Sequence, residues 1–278
     1  MSSYSLAFSP CPNDTYVLAA LANGLLTDAP EVHVTLADID TLNNAAARGE
    51  FEFVKVSYGA VPGLAERYRV LRSGGAVGRG CGPLLVARPE GAPPLFSGVR
   101  DKHVAIPGER TTAFMLLQLA LGARPRRITP IRFDTIVGAV ADGRFDAGLI
   151  IHESRFTYRD AGLIAIADLG EWWENMTLLP LPLGAILVRK DVDRAQALDV
   201  ADAIRRSLAF ARANEEAVMP YVRAHASEMN DDVLLAHIAL YVNEFTDDLG
   251  DTGIEAVHAL FARARDAGLC RGTAVEFA

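Results

Sequence analysis

Apolar and polar positions along this chain follow two rhythms. Short runs rich in apolar and β-branched residues recur at 4–8, 31–37, 52–56, 68–72, 102–106, 128–133, 147–151 and 163–167. Between them, stretches such as Tyr16 to Asn23 and Phe114 to Leu121 carry helical spacing. Strands alternating with helices predict an α/β chain with parallel sheets. Two prolines in Ser9-Pro10-Cys11-Pro12 argue against regular structure there, so Asn13, Asp14 or Thr15 is expected to cap a helix from Tyr16 that Gly24 closes. Asp38 to Thr41 caps a second helix running to about Ala47. From 192 to 266 the pattern is helical, four or five helices with an alanine-rich amphipathic stretch from Ala195 to Ala213. These helices are expected to brace the first domain and to hold no catalytic constellation.

One apolar pattern occurs twice. Pro83-Leu84-Leu85-Val86-Ala87-Arg88 is echoed by Gly184-Ala185-Ile186-Leu187-Val188-Arg189-Lys190, each a short strand ending in a basic residue where the strand–helix rhythm restarts. The segment between them forms a complete α/β unit. The expectation is a smaller domain, 89–183, inserted into a larger one made of 1–88 and 184–278, joined by two crossing strands that act as a hinge. The cleft between two such domains is a preferred place for a ligand. No other repeat and no low-complexity tract is legible.

Composition narrows the function classes. Half of the 278 residues are hydrophobic, which is globular rather than disordered, and the formal net charge is −8. A surface that tracks phosphates needs clustered Lys and Arg, and the densest cluster, Arg124-Pro125-Arg126-Arg127, reads as a solvated turn; no nucleic-acid partner is expected. No run approaches the ~20 apolar residues of a membrane span. The amino terminus lacks a basic stretch followed by a long apolar core, so a cytoplasmic, soluble protein is expected. Cys11, Cys81 and Cys270 have no metal-ligand spacing and read as reduced thiols. Cys11 and Cys81 sit in loops where a nucleophile can work, but neither has a base placed beside it.

Candidate chemistry centres on Gly148-Leu149-Ile150-Ile151-His152-Glu153-Ser154-Arg155-Phe156. An apolar strand delivers a histidine at its carboxyl end, where open α/β sheets bind ligands. An imidazole there is either a hydrogen-bonded structural group or a general base. Other polar groups lie at equivalent places: Ser9 to Thr15 after the first strand, Lys55-Val56-Ser57-Tyr58-Gly59 after the third, and Thr111-Thr112 at the start of the helix from Phe114. Free amides at such helix starts suit an anion or a hydroxyl, although a capped helix needs no ligand. Five glycines between Ser73 and Gly82 permit close backbone approach but match no nucleotide fingerprint. Trp172 and Trp173 either wall an aromatic ligand or pack in the core. His225, His237 and His258 lack paired ligand spacing, so no metal site is expected.

Several of these segments together resemble the 1,4-dihydroxy-6-naphthoate synthases, menaquinone-biosynthesis enzymes of the futalosine pathway. The resemblance is carried by Ser9-Pro10-Cys11-Pro12-Asn13-Asp14-Thr15, Lys55-Val56-Ser57-Tyr58, Arg72-Ser73-Gly74-Gly75-Ala76, Thr111-Thr112-Ala113, Ile150 to Tyr158 and Leu181-Pro182-Leu183-Gly184-Ala185. It runs to about residue 190 and more loosely beyond. It implies a two-domain, periplasmic-binding-protein-like (type II) fold with two hinge strands and a central cleft. It also implies cyclic de-hypoxanthine futalosine as substrate, carbon–carbon lyase chemistry without a cofactor, and His152 as catalytic base. The substrate-contacting residues it implies are Lys55, Val56, Ser57, Thr111 and Thr112, with Ser9, Asn13, Asp14 and Ser154 completing the set. Two alternatives stay open: a cytosolic small-molecule-binding protein of the same fold, and a chorismate dehydratase of the same pathway.

Overall fold

The computed structural model describes residues 3–93, 95–227, 230–272 and 274–278. Eleven strands and eleven α-helices are found among them. The strands are β1 (Ser3–Phe8), β2 (Glu31–Leu36), β3 (Phe53–Ser57), β4 (Tyr68–Val70), β5 (Ala76–Gly78), β6 (Leu84–Ala87), β7 (His103–Ile106), β8 (Arg127–Pro130), β9 (Ala147–Ile150), β10 (Ile164–Asp168) and β11 (Leu181–Arg189). The helices are α1 (Pro12–Ala22), α2 (Ile39–Arg48), α3 (Thr112–Leu121), α4 (Ile136–Ala141), α5 (Ser154–Thr157), α6 (Leu169–Thr177), α7 (Arg194–Ala213), α8 (Glu215–His225), α9 (Asp231–Tyr241), α10 (Glu244–Asp247) and α11 (Gly250–Asp266).

The strands form two sheets. The first runs β2-β1-β3-β11-β4, with β5 also on β11; the second runs β10-β6-β9-β7-β8. In the first, β1, β2 and β3 are parallel and β11 lies antiparallel beside β3. In the second, β7, β8 and β9 are parallel and β6 lies antiparallel beside β9. Both sheets therefore contain one βαβαβ unit with its first strand in the middle, flanked by an antiparallel strand beside the third. The echoed runs, β6 and β11, occupy equivalent places in the two sheets. That echo is the one trace in the sequence of the topology the two sheets share.

Sheet membership corrects the expected boundary. Leu84–Ala87, expected in the larger domain, is paired on both edges within the second sheet, with β9 and β10. The chain leaves the first sheet after Gly78, before β6, and returns to it at Leu181. The crossing near Gly82 is tight: a Cβ on Gly82 would lie 2.2 Å from Gly170 Cα, so these two glycines let the outgoing and returning segments touch.

The first helix departs from expectation in a way that matters for the site. It begins at Pro12, not Tyr16, with Cys11 as N-cap and no side-chain cap bond. Proline is compatible with the first helical position, because its missing N–H would have no intrahelical partner there. Asn13, Asp14 and Thr15 are thus inside the helix rather than capping it. Every residue of α1 from Pro12 to Leu21 is buried, because α7, α8 and α9 pack around it. Its polar first turn must then be satisfied internally. The glycine-rich segment contains a short strand, β5, where the sequence pattern predicts only loop. The five carboxy-terminal helices agree with the expected number.

Candidate active site

The carboxyl ends of the parallel strands of both sheets meet at one cavity of about 610 Å³ of empty space, mouth included. Ligand pockets commonly have volumes of about 300–1,000 Å³. Its wall takes Ser9, Asn13 and Asp14 from beyond β1, and Lys55 and Ser57 from β3. Thr111 and Thr112 come from the turn after β7, and Ile151 and His152 from beyond β9. The post-β1 and post-β7 loops are topological equivalents, as are the ends of β3 and β9. The cavity is built from corresponding places in the two units.

Eight of the ten expected site residues line this wall. Val56 and Ser154 do not. Val56 alternates to the opposite face of β3 and joins the apolar core, as period-two strand geometry requires of the residue between Lys55 and Ser57. Ser154 is buried at the start of α5.

The floor is a buried ion pair. Lys55 Nζ lies 2.7 Å from Asp14 Oδ1, with both side chains about 5% exposed or less. Nζ also donates to Gly74 O at 2.7 Å, so one of the three ammonium protons remains for a substrate oxygen. Asp14 is held further by Ser9 Oγ, donating to Oδ2 at 2.7 Å, and by Asn13 Nδ2, donating to Oδ1 at 2.8 Å. At the first turn of α1 the carboxylate also meets the positive end of the helix.

The hydroxyls divide into spent and available. Thr111 Oγ1 donates to Gly108 O and accepts from Phe114 N–H, an N-cap role. Thr112 Oγ1 donates to Leu183 O at 2.7 Å and accepts from Gly59 N–H at 3.0 Å, tying α3 to the other sheet. Neither hydroxyl has a proton left for a ligand, so this helix start offers its unpaired backbone amides instead. Ser57 differs. Its Oγ accepts from Asn43 Nδ2 at 3.1 Å, while Asn43 Oδ1 takes the Ser57 N–H at 2.8 Å. That clamp fixes the side chain and leaves its O–H proton for the cavity.

Gly59 lets the two units approach closely. A Cβ there would sit 2.7 Å from Thr111 O and 2.9 Å from Thr112 N, both backbone atoms. Gly59→Ala is expected to destabilise the protein by about 1–3 kcal/mol, the usual cost of overpacking. It should also lower kcat/KM by displacing the start of α3. A denaturant midpoint equal to wild type would show that the contact yields freely.

His152 stands on the opposite wall in a left-handed conformation, φ 56°, uncommon outside glycine and a known mark of functional positions. Its ring is edge-on to Phe133 at 4.8 Å between centroids. Nε2 is shielded from solvent and has no hydrogen-bond partner among the described residues. Burial pushes the imidazole pKa down from 6.5 to about 4, against a smaller upward pull from Asp14. It is neutral at pH 7 and able to accept a proton. Because the unfolded chain protonates first, this histidine contributes stability that is present above about pH 6.5. That stability is lost as pH falls toward 4, by up to about 3 kcal/mol. Urea unfolding across that range should show the decline, and His152→Asn should flatten it.

Sequence patterning missed contributions from α9: the carboxy-terminal helices, expected to hold no catalytic constellation, bring two side chains to the site. Tyr241 lines the cavity, and His237, one turn earlier, is fully buried beside it with ring centroids 4.5 Å apart. His237 Nε2 lies 2.9 Å from Asn13 Oδ1. Since the Asn13 amide nitrogen is turned to Asp14, Oδ1 is an acceptor and His237 must carry its proton on Nε2. The ring lies 6.2 Å from that of His152, nearly parallel to it. The only sequence signal is a histidine and a tyrosine four apart on one helix face, which ordinary core packing produces equally well.

The remaining candidates resolve simply. Burial raises the Cys11 thiol well above its ordinary pKa and raises Cys81 to about 12, so neither is a ready thiolate. Trp173 is core, its Nε1–H donating to Pro180 O, and Trp172 packs against that core. Arg155 braces α5, reaching Asp168 at 2.7 Å and Gly82 O at 2.5 Å. No helix among the described residues is long and apolar enough to cross a membrane.

Two sheets of the same topology, joined by crossing segments and enclosing a cleft, define a periplasmic-binding-protein-like fold. The alkanesulfonate-binding protein SsuA from Xanthomonas axonopodis pv. citri superposes with a TM-score of 0.75 over 100% of this chain and 99% of its own, at 14% identity. Protein AF1704 from Archaeoglobus fulgidus reaches 0.88 at 32% identity, over 96% and 98%. Within that class the chain belongs to the menaquinone-biosynthesis family, whose profile matches residues 4–266. It is similar to two proteins named 1,4-dihydroxy-6-naphthoate synthase. The one from Thermus thermophilus is 47% identical over 270 residues, 97% of this chain and 96% of the relative. The one from Streptomyces coelicolor is 47% identical over 268 residues, 95% and 93%.

Proposed function

We propose that the chain is a 1,4-dihydroxy-6-naphthoate synthase, a cytoplasmic carbon–carbon lyase that converts cyclic de-hypoxanthine futalosine to 1,4-dihydroxy-6-naphthoate without a cofactor. The observation that carries the chemistry is the neutral, unpartnered Nε2 of His152, a residue that lines the same cleft as Ser57 and Lys55. His152 takes a proton next to a carbonyl-type centre. The electron pair moves onto the oxygen, where the Ser57 hydroxyl, the third Lys55 proton and the α3 amides can meet the developing charge. That pair then returns as the bond to the sugar-derived fragment breaks, the departing fragment takes up the proton held by His152, and enolisation of the re-formed carbonyl leaves an aromatic naphthalene ring. Formation of the aromatic ring supplies the driving force, so the protein needs only to position, donate and accept. The segments at 79–83 and 169–180 would act as the hinge through which the two sheets close on substrate and exclude water.

The test is to incubate the purified chain with cyclic de-hypoxanthine futalosine and, separately, with chorismate, and to follow the naphthoate chromophore. Appearance with the first compound only is expected. Dehydration of chorismate would assign the neighbouring pathway activity instead, and binding without turnover would make the chain a receptor.

A further inference from the structure

Cys11 is not needed by the chemistry above, yet it is buried beside the base. Ligand atoms of Cys11, His152 and Glu153 all lie within 4.8 Å of one another. Cys11 and Glu153 are 3% and 7% exposed, and His152 opens onto the cavity, which gives an ion a way in. We propose that these three residues form a site for a thiophilic divalent cation of the zinc type, and that occupancy silences the enzyme by capturing the His152 lone pair.

The donor set points to that class of ion. Thiolate, imidazole and carboxylate are the ligands of zinc and cobalt(II), whereas magnesium and calcium take oxygen donors. Three protein ligands leave a fourth position open toward the cavity for water. Tetrahedral bonds of about 2.0–2.3 Å set ligand atoms about 3.3–3.8 Å apart. The cluster must therefore contract by up to about 1.0–1.5 Å. It can do so because Cys11 precedes α1, against the first sheet, while His152 and Glu153 follow β9 in the second. The ion would bridge the two units.

Charge also favours it. Burial first, and after it the Glu153 carboxylate, hold the Cys11 thiol protonated. A dication reverses that effect: the thiol gives its proton to solvent, and one thiolate, one carboxylate and one dication sum to zero in a buried place. Affinity should then rise with pH. His237 Nδ1, 4.0 Å from Glu153 Oε2, stands behind the carboxylate.

Binding does not depend on the assigned reaction; only the loss of turnover rests on His152 being the base. Cobalt(II) added to the full-length chain should give a thiolate-to-cobalt charge-transfer band that saturates at one ion per chain and is displaced by zinc. Loss of an outer-shell partner alone typically weakens a metal site about 10–100-fold, so Cys11→Ser, which removes a ligand, should weaken binding at least that much and abolish the band. Zinc should also stop turnover, with recovery on adding a chelator. No band, or a band that persists in Cys11→Ser because Cys81 or Cys270 supplies the thiolate, would overturn the site. A Cys11-dependent band with undiminished turnover would uphold the site and remove His152 from the base role.

Discussion

His152→Asn lowers turnover by about 10²–10⁴-fold with the fold intact, the range a positioned general base contributes. Asparagine is the informative replacement because of the backbone. At φ 56° a side chain with a Cβ is strained, and asparagine tolerates this region better than most residues. Its amide has no lone pair basic enough to take the proton. His152→Ala removes the same base but adds the cost of an alanine at positive φ, so its lower stability would be confounded with lost chemistry. Steady-state turnover measured beside circular dichroism and a denaturant titration separates the two effects. An asparagine variant with wild-type turnover would end the base assignment. In the wild type, turnover should hold steady above about pH 4 as far as this group is concerned, because only below that does the imidazole become charged. A profile limited by a group near 6.5 would mean that substrate binding reopens the site to water and restores the imidazole's ordinary basicity.

How much of the fold and the site is legible in the sequence depends on the range of the signal. The alternation of strands and helices, the polar groups at strand ends and the cap at Asp38 are local patterns, and each recurs in the structure close to where the sequence puts it. His152 is legible for the same reason: an apolar run ending in Ile150-Ile151 has to present the next residue at its carboxyl end. Val56 goes astray because a contiguous motif implies all of its residues at once, although a strand turns every second residue away. The start of α1 goes astray because a proline reads as a breaker and here is the first helical residue. The contributions of Asn43, His237 and Tyr241 are out of reach. Asn43 and His237 bond to site residues across 14 and 224 residues of sequence separation, and Tyr241 packs beside His237 on the same helix; one sequence has no periodic signature for such contacts. The topology shared by the two sheets is nearly invisible as well, because it lies in the order and direction of strands, and side chains need only remain apolar.

Asp14→Asn is expected to be the most destabilising single change at the site, by about 3–5 kcal/mol, the usual result of removing one member of a buried ion pair. The loss exceeds the worth of the hydrogen bond itself because Lys55 stays where it is. Its Nζ is fixed to Gly74 O on a strand buried along its whole length, and the ammonium cannot reach solvent without unpacking β3. The same substitution disturbs the chain of contacts that runs from Lys55 through Asp14 and Asn13 to His237, since Asn13 is oriented by donating to the lost carboxylate. Charge and packing can be told apart with the double variant Asp14→Asn with Lys55→Met. Removing both charges leaves no stranded ion, and paired residues in contact are not additive, so the double variant should be clearly more stable than Asp14→Asn alone. Its turnover should nonetheless stay low, because the ammonium donor to the developing oxyanion is gone. Denaturant unfolding of the four proteins in the cycle gives the coupling directly. A coupling near zero would mean that solvent already reaches Lys55, and the pair would then be a surface contact in effect, not the floor on which the cleft is built.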